Sequence, residues 1–580
     1  MMPYPPITTM VWKSLLPHER KKLFGIWVVI MVQMVVETFS LGLIIPVVGL
    51  LTRDSYADSI PFVAQYFRGL TQSQVLIISM ASMSVIYVAK SFFIFWATKL
   101  QQNFSTSVAV RIAQTTFLKY LRQPYEFHLE RNSATLIANV DNARSIVSGG
   151  LDPILLLLTD GIVSLGLFTL LVYVEPVGTI IVITLFGFFG LLIRSITKGP
   201  ISRWGELRKF HSREVFRHMQ QGLGAVKEIK IMGREQQFLD AHQKHLELRM
   251  EMDRRYTTMQ SIPRLSFESL AMVGLGAVVV VMVASSKPLT DIMPTLGLFA
   301  ATAFRVIPSI GRMLASIQTI SYSTPIAATI FRDVGLAEEY VESVKVDRNF
   351  HSYLEFRRVN FGYAGSKHSV LKEVSFFINR GEAVGIVGSS GAGKSTLIDI
   401  VLGLLTPTSG KVFVDGQDMT VCRRWWQDQI GYVPQDIYLI DDTLRNNIAF
   451  GVPESEIDEV AVQQAVDAAQ LNAFVDSLPA GLGTVVGERG VRLSGGQCQR
   501  IGIARALYHN PSVLVLDEAT SALDSETEAG VIEAVRKLFG EKTVLIIAHR
   551  TSTVAHCDRI FRFHDGELVD SGDPSKMLNE

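Results

Sequence analysis

Residues 388–395 read Gly-Ser-Ser-Gly-Ala-Gly-Lys-Ser, a phosphate-binding loop of the form G-x-x-x-x-G-K-[ST]. This pattern serves one chemistry, the holding of nucleotide phosphates for transfer or hydrolysis. Gly388, Gly391 and Gly393 let backbone N–H groups approach the phosphates, and a helix following the loop points its positive end at them. Lys394 has the reach for the β- and γ-phosphates, and the Ser395 hydroxyl suits Mg²⁺. The candidate ATP contacts are therefore Gly388, Ser389, Ser390, Gly391, Ala392, Gly393, Lys394, Ser395 and Thr396. Two more segments carry polar groups in a telling order. One is Leu493-Ser494-Gly495-Gly496-Gln497; the other is the apolar run Val513–Leu516, which ends in Asp517-Glu518.

The elements that must position these residues are legible in outline. From Leu354 onward, short apolar strands alternate with helical segments, an α/β pattern. Strand 383–387 feeds the phosphate loop. The first part of the chain differs. Six apolar stretches fall near 23–51, 75–97, 151–174, 177–193, 265–285 and from 293 past 306. About 20 residues are needed to span the hydrocarbon, so a six-helix membrane domain is expected. Lys and Arg crowd residues 98–150, 194–261 and the N-terminus. The positive-inside rule then puts both termini and both long loops in the cytoplasm. Those loops are rich in helix formers, so the helices are expected to run past the bilayer, breaking near Gln123-Pro124 and Gln221–Gly224. Residues 53–74 could form a short amphipathic helix on the outer surface or an ordinary loop.

The expected division is a membrane domain at 1–334, a polar linker at 335–352 and a nucleotide-binding domain at 353–580. At 580 residues the chain is too long for one core. Its formal net charge is zero, which argues against nucleic acid as a partner. Three cysteines without a CxxC pair suggest neither a disulfide framework nor a zinc site. The N-terminus shows no short apolar core with a cleavage site, so no removable signal peptide is expected.

The phosphate loop, LSGGQ and the Asp-Glu strand end together resemble the ATP-binding cassette (ABC) proteins. With a six-helix domain on the same chain, they resemble the half-transporters of the ABC exporter fold. The resemblance implies ATP and Mg²⁺ as ligands and further roles at matching motifs. Tyr363 would stack on adenine. Gln435 would touch Mg²⁺ and the attacking water. Asp517 would hold Mg²⁺, with Ser395 and Gln435. Glu518 would act as general base and His549 would contact the γ-phosphate. Ser521–Asp524 and Val486–Gly490 match segments near the cassette interface and the coupling loops. Those loops would dock through tips at 123–131 and 218–226. Ser494, Gly495, Gly496 and Gln497 would cap ATP bound to a partner chain. No motif is degraded, which fits a homodimer.

The substrate is less legible. Lys90, Arg264, Arg305 and Arg312 lie in or beside apolar spans, as do Glu37, Asp160 and Glu268, and such residues usually face a cavity or a partner. Counted from the span ends, the four cations fall in the inner half of the membrane and Glu37 in the outer half. The Arg305-x-x-Pro308-x-x-x-Arg312 pattern resembles bacterial flippases of lipid-linked oligosaccharides. That implies an anionic, lipid-linked substrate moved across the bacterial inner membrane. A bland account has Lys90 and Arg312 snorkelling and Arg264 paired with Glu268. Export of drugs or peptides, or an ATP-driven regulatory subunit without flux, are the alternatives.

Overall fold

The apolar stretches are helical, and most outrun a bilayer. The computed structural model describes residues 5–52, 71–284, 289–335, 350–366, 368–487, 493–518, 525–548 and 550–578. They fall into two units: Met1–Gln123 with His128–Glu339, and Tyr340–Glu580 with Pro124–Phe127.

The first unit is helical: α1 (Ile7–Ser14), α2 (Pro17–Gly42), α3 (Ile44–Thr52), α4 (Gln72–Leu121), α5 (Asp152–Val174), α6 (Pro176–Gly224), α7 (Glu235–Ala284) and α8 (Leu289–Val334). Among the described residues, six segments are long and apolar enough to cross a membrane. At 50 residues, α4 and α7 are each about 75 Å long, more than twice a hydrocarbon core of about 30 Å. Phe92, Phe95, Leu191 and Val273 point outward along these helices, as lipid-facing side chains should.

The ends have local causes. Thr71 and Gln74 form a capping box at the start of α4. The helix stops at Leu121, shortly before Pro124, because the residue preceding a proline is pushed out of the α region. Glu175 takes an extended φ of −147°, and Pro176 then opens α6 at a position where its missing N–H costs nothing. Helix α6 ends at Gly224, where the glycine-rich break is expected. The first apolar stretch differs from expectation, being α2 and α3 with a turn at Leu43. Pro46 cannot donate to the Gly42 carbonyl and its ring crowds that group.

Helix α1 has no counterpart in the sequence expectations. Its Ile7, Met10 and Val11 share one stripe and pack with Ile26, Ile30, Ile146 and Ile330. Close approach elsewhere depends on small residues: a Cβ on Gly205 of α6 would lie 2.3 Å from the Tyr322 carbonyl oxygen of α8.

The second unit holds two sheets. An antiparallel sheet runs β2-β1-β4-β5, with β1 Tyr353–Phe361, β2 Leu371–Asn379, β4 Ser409–Val414 and β5 Gln417–Asp418. The larger sheet runs β10-β9-β3-β8-β7-β6. Its strands are β3 Ala383–Gly388, β6 Ile430–Val433, β7 Val513–Asp517, β8 Thr543–Ile547, β9 Arg559–His564 and β10 Glu567–Gly572. All neighbours in it are parallel except β9 and β10. Both faces are covered, which explains the unbroken apolar runs. On β7, Leu514 and Leu516 serve one core while Val513 and Val515 serve the other. Alternation on β8 is the same: Val544 and Ile546 against Leu545 and Ile547. The expected amphipathic segment at 53–74 lies outside the described residues over 53–70, and the linker over 336–349.

Candidate nucleotide site and membrane charge network

The larger sheet brings the phosphate-loop chemistry together at the carboxyl ends of its parallel strands, where open α/β sheets bind ligands. Strand β3 has β9 on one side and β8 on the other, with β7 beyond β8. At about 4.8 Å per strand, the ends of β3 and β7 stand about 10 Å apart. One end carries the phosphate loop and the other carries Asp517.

The loop leads into helix α9 (Lys394–Val401), whose N-cap is Gly393 and whose first turn receives no side-chain cap. Gly393 has φ +93°, and a Cβ there would meet Leu371 at 2.9 Å. Glycine is therefore required on both conformational and steric grounds. Lys394 is 6 % exposed and turns back over the loop, donating to the carbonyls of Gly388 (2.9 Å) and Ser389 (3.0 Å). Burial pushes its ammonium down from the ordinary lysine value; the charges of Glu518 and Asp517 oppose that. Ser395 faces outward while Thr396 is buried. The hydroxyls of Tyr363 and Thr396 share a hydrogen bond of 3.1 Å, and the Tyr363 ring is held edge-on by Phe361. Tyr363 remains 37 % exposed, so it offers an accessible ring beside α9.

Glu518 sits in the left-handed region at φ +48°, a conformation that costs a non-glycine residue about 1 kcal/mol or more and gathers at functional sites. Its N–H donates to the Ile547 carbonyl at 3.1 Å, which pins the strained turn to β8. Gln435, just beyond β6, donates from Nε2 to Glu518 Oε2 at 3.0 Å. Burial, then the Glu518 charge, raises the Asp517 carboxyl above its usual range. Gln435, Asp517, Glu518 and Lys394 are thus neighbours, although more than a hundred residues separate some of them.

Asp399 was not among the expected site residues. It lies one helical turn beyond Ser395, and burial with the Asp517 charge pushes its carboxyl up to about 6. The i, i+4 spacing from Ser395 was the available signal. Ser494 caps helix α10 (Gly495–Leu507): Gln497 N–H donates to Ser494 Oγ (3.3 Å) and Ser494 N–H to Gln497 Oε1 (2.8 Å). Among the described residues, neither makes a hydrogen bond to the phosphate loop. His549, Ser521–Asp524 and 488–490 lie outside the described residues.

In the helical unit, the expected substrate cations are drawn to carboxylates. Arg305 forks onto the fully buried Glu37, with Nη2 to Oε1 at 2.8 Å and Nε to Oε2. Arg312 forks onto Asp160 at 2.7 and 2.8 Å. Ser309 joins the pairs: it accepts from Arg305 Nη1 at 2.9 Å and donates to Asp160 Oδ1 at 3.1 Å. Lys90 reaches Ser40 Oγ at 3.3 Å and lies over the Tyr87 ring at 4.3 Å. Arg264 pairs with Glu268 at 2.9 Å, both largely exposed. Glu37 and Arg305 therefore share one level, against the expectation that they lie in opposite halves. Depth counted along a sequence depends on guessed span ends, and these helices extend well past them.

The family model described as ABC transporter matches residues 371–521, and the model described as ABC transporter transmembrane region matches 24–306. The chain is 30% identical over 477 residues to a protein named ATP-dependent lipid A-core flippase from Alkalilimnicola ehrlichii, covering 81% of this chain and 80% of that one. A protein of the same name from Photorhabdus laumondii is 29% identical over 497 residues, 82% of each chain. The putative multidrug export ATP-binding/permease protein YgaD of Bacillus subtilis is 38% identical over 296 residues, half of each chain. A solved structure of a bacterial Atm1-family ABC exporter with ATP bound superposes with a TM-score of 0.77 at 22% identity, covering 97% and 96% of the two chains; at that identity it speaks to the fold.

Proposed function

Starting from the fact that the chain belongs to the ABC transporters, as an exporter half-transporter whose ATPase is coupled to membrane transport, we propose that it flips an anionic, sugar-bearing lipid from the inner to the outer leaflet of a bacterial inner membrane. Both termini and the nucleotide-binding domain are then cytoplasmic, and the working unit is a homodimer.

The ATP chemistry follows from groups already described. The uncapped first turn of α9 and the loop N–H groups hold the phosphates, and Lys394 leaves the Gly388 and Ser389 carbonyls for the β- and γ-oxygens. Tyr363 supports the adenine. The outward Ser395 hydroxyl and two neighbouring carboxylates form an oxygen-rich set of the kind a hard cation takes, so Ser395, Asp517 and Gln435 would hold Mg²⁺. The ion would neutralise charge developing on the phosphates. Glu518, oriented by Gln435 and by its pinned backbone, takes the proton of the attacking water. His549 would contact the γ-phosphate. Ser494, Gly495, Gly496 and Gln497 would close the partner's ATP from a helix N-terminus, which favours anions.

The observation that carries the substrate reading is the charge balance of the membrane network. Three cations, Lys90, Arg305 and Arg312, face two carboxylates, Glu37 and Asp160, leaving one positive charge in this network among the described residues. Such a charge is costly in a membrane unless it meets an anion. A lipid phosphate or pyrophosphate supplies one, contacting Lys90 first and then the 44 % exposed side chain of Arg312, which it shares with Asp160. Arg305 and Arg264, each held by a carboxylate, would join only by exchanging partners. Relatives named as lipid A-core flippases support the lipid class.

Proteoliposomes containing only this chain test the reading. Either lipid A-core or a polyprenyl-pyrophosphate oligosaccharide should be flipped with ATP, and the preferred one names the sugar lipid. Lys90→Gln should lower flux per ATP hydrolysed at least about tenfold. Equal transport of a cationic drug, or unchanged coupling in Lys90→Gln, would remove the anionic-lipid reading and favour the drug-export alternative.

A further inference from the structure

Away from both sites, near the short helix Val226–Met232 in the connection that joins α6 to α7, three potential metal ligands converge. Glu214 and His218 are four residues apart on α6 and so share a face; His245 meets them from α7. One donor atom from each lies within 4.8 Å of the other two. The Glu214 side chain is only 8 % exposed, and both histidines are half-buried.

One tautomer of a neighbouring histidine pair leaves a ligand atom available here. His211 Nδ1 and His245 Nδ1 are 3.0 Å apart. One of them must lack a proton, because two N–H groups cannot bond to each other. When His245 donates from Nδ1 to His211, its Nε2 carries a free lone pair, with the second-shell hydrogen bond that metal-bound histidines usually make. The His218 and His245 rings stack at 5.5 Å and 28°, which sets the two imidazoles side by side across α6 and α7. Glu214 gives Oε2 to Arg217 at 2.5 Å, while Oε1 is 3.8 Å from Arg213. Oε1 is thus the oxygen with room for another partner.

We propose that Glu214, His218 and His245 form a binding site for a divalent transition-metal ion of the zinc class, which clamps α6 to α7 next to the segment that connects them. Two imidazoles and one carboxylate are a recognised zinc set, and water takes the fourth place. Tetrahedral ligands sit about 3.4 Å apart at zinc distances, so the present spread closes by side-chain rotation. Arg217 competes with the ion for Glu214.

The test uses the full chain, purified without a histidine tag, stripped with chelator and titrated with ZnCl₂ against a chromophoric chelator. One Zn²⁺ per chain is expected, together with a rise in melting temperature. His218→Gln and His245→Gln should each weaken binding at least about tenfold and abolish that rise, while melting like wild type without metal. Arg217→Ala keeps all three ligands and should tighten binding by removing the competing guanidinium. Absence of stoichiometric binding to wild type, equal binding by His218→Gln/His245→Gln, or unchanged affinity in Arg217→Ala would each overturn the site.

Discussion

The nucleotide site and the membrane charge network use the same ingredients, basic side chains set against carboxylates, and assemble them by opposite means. In the nucleotide site the cation comes from one contiguous loop of eight residues, and backbone geometry does most of the positioning. Gly393 at φ +93° and Glu518 at φ +48° are fixed by the sheet beneath them. Among the described residues, Lys394 bonds to carbonyls of its own loop, so a phosphate displaces weak partners. In the network each arginine is forked onto a carboxylate from a distant helix, 268 residues away for Glu37 and Arg305 and 152 for Asp160 and Arg312. A ligand there must compete with a charge-assisted pair, which is roughly twice as strong as a neutral hydrogen bond. The first site is poised for its ligand; the second is already balanced except for one charge.

The sharpest way to break this contrast is Glu518→Gln. The glutamine keeps the shape and loses the base, so ATP should still bind while turnover falls by about 10²–10⁴. Phosphate release and nucleotide binding, measured together, check it. Near-normal turnover would take Glu518 out of the base role. Lys394→Ala should weaken binding itself.

On the network side, Arg305→Gln takes the forked partner from buried Glu37, leaving it the Gln33 hydrogen bond and the nearby Lys90 charge, and should destabilise the helical unit by at most about 3–5 kcal/mol. Glu37→Gln/Arg305→Gln removes both charges and should recover most of that loss. Thermal melting in lipid nanodiscs across this cycle gives the coupling. Additive effects would mean that the pair does not exist in the membrane.

A smaller effect is expected at Asp399, and it depends on pH. Its carboxyl titrates near 3.8 when unfolded and about 6 when folded, so folding disfavours the ionised form. The penalty is absent below pH 3.8, grows between there and about 6, and is full above that. Asp399→Asn should therefore stabilise the nucleotide-free protein at pH 7.5, by about 1 kcal/mol once solvent screening of this partly exposed group is allowed for, with little gain near pH 4. Calorimetry at the two pH values reads this directly. A gain independent of pH would contradict a carboxyl raised by burial and the Asp517 charge.

The smallest change in stability concerns Ser494. Ser494→Ala removes a helix cap and should cost the cassette about 1 kcal/mol. Ser494→Arg should in addition stop hydrolysis through the partner's site, and mixing it with Lys394→Ala chains should restore at most one composite site per dimer. Full hydrolysis by Ser494→Arg would argue against a shared site.

The chain alone determined whatever depends on local pattern. Contiguous motifs wrote out the phosphate loop and the signature; apolar runs wrote out six spans and the strands buried on both faces; Pro124, Pro176 and Gly224 marked helix ends. Local chemistry acts over a few residues, so it can be read in order. Tertiary structure decided the rest: that Gln435 meets Glu518 from the end of the neighbouring strand, that Asp399 joins the site, that α1 packs its short stripe into the helical core, and that Glu37 lies level with Arg305. Each depends on which distant segments share a level. Helix length past the bilayer and strand order set that level, and no count along the sequence contains it.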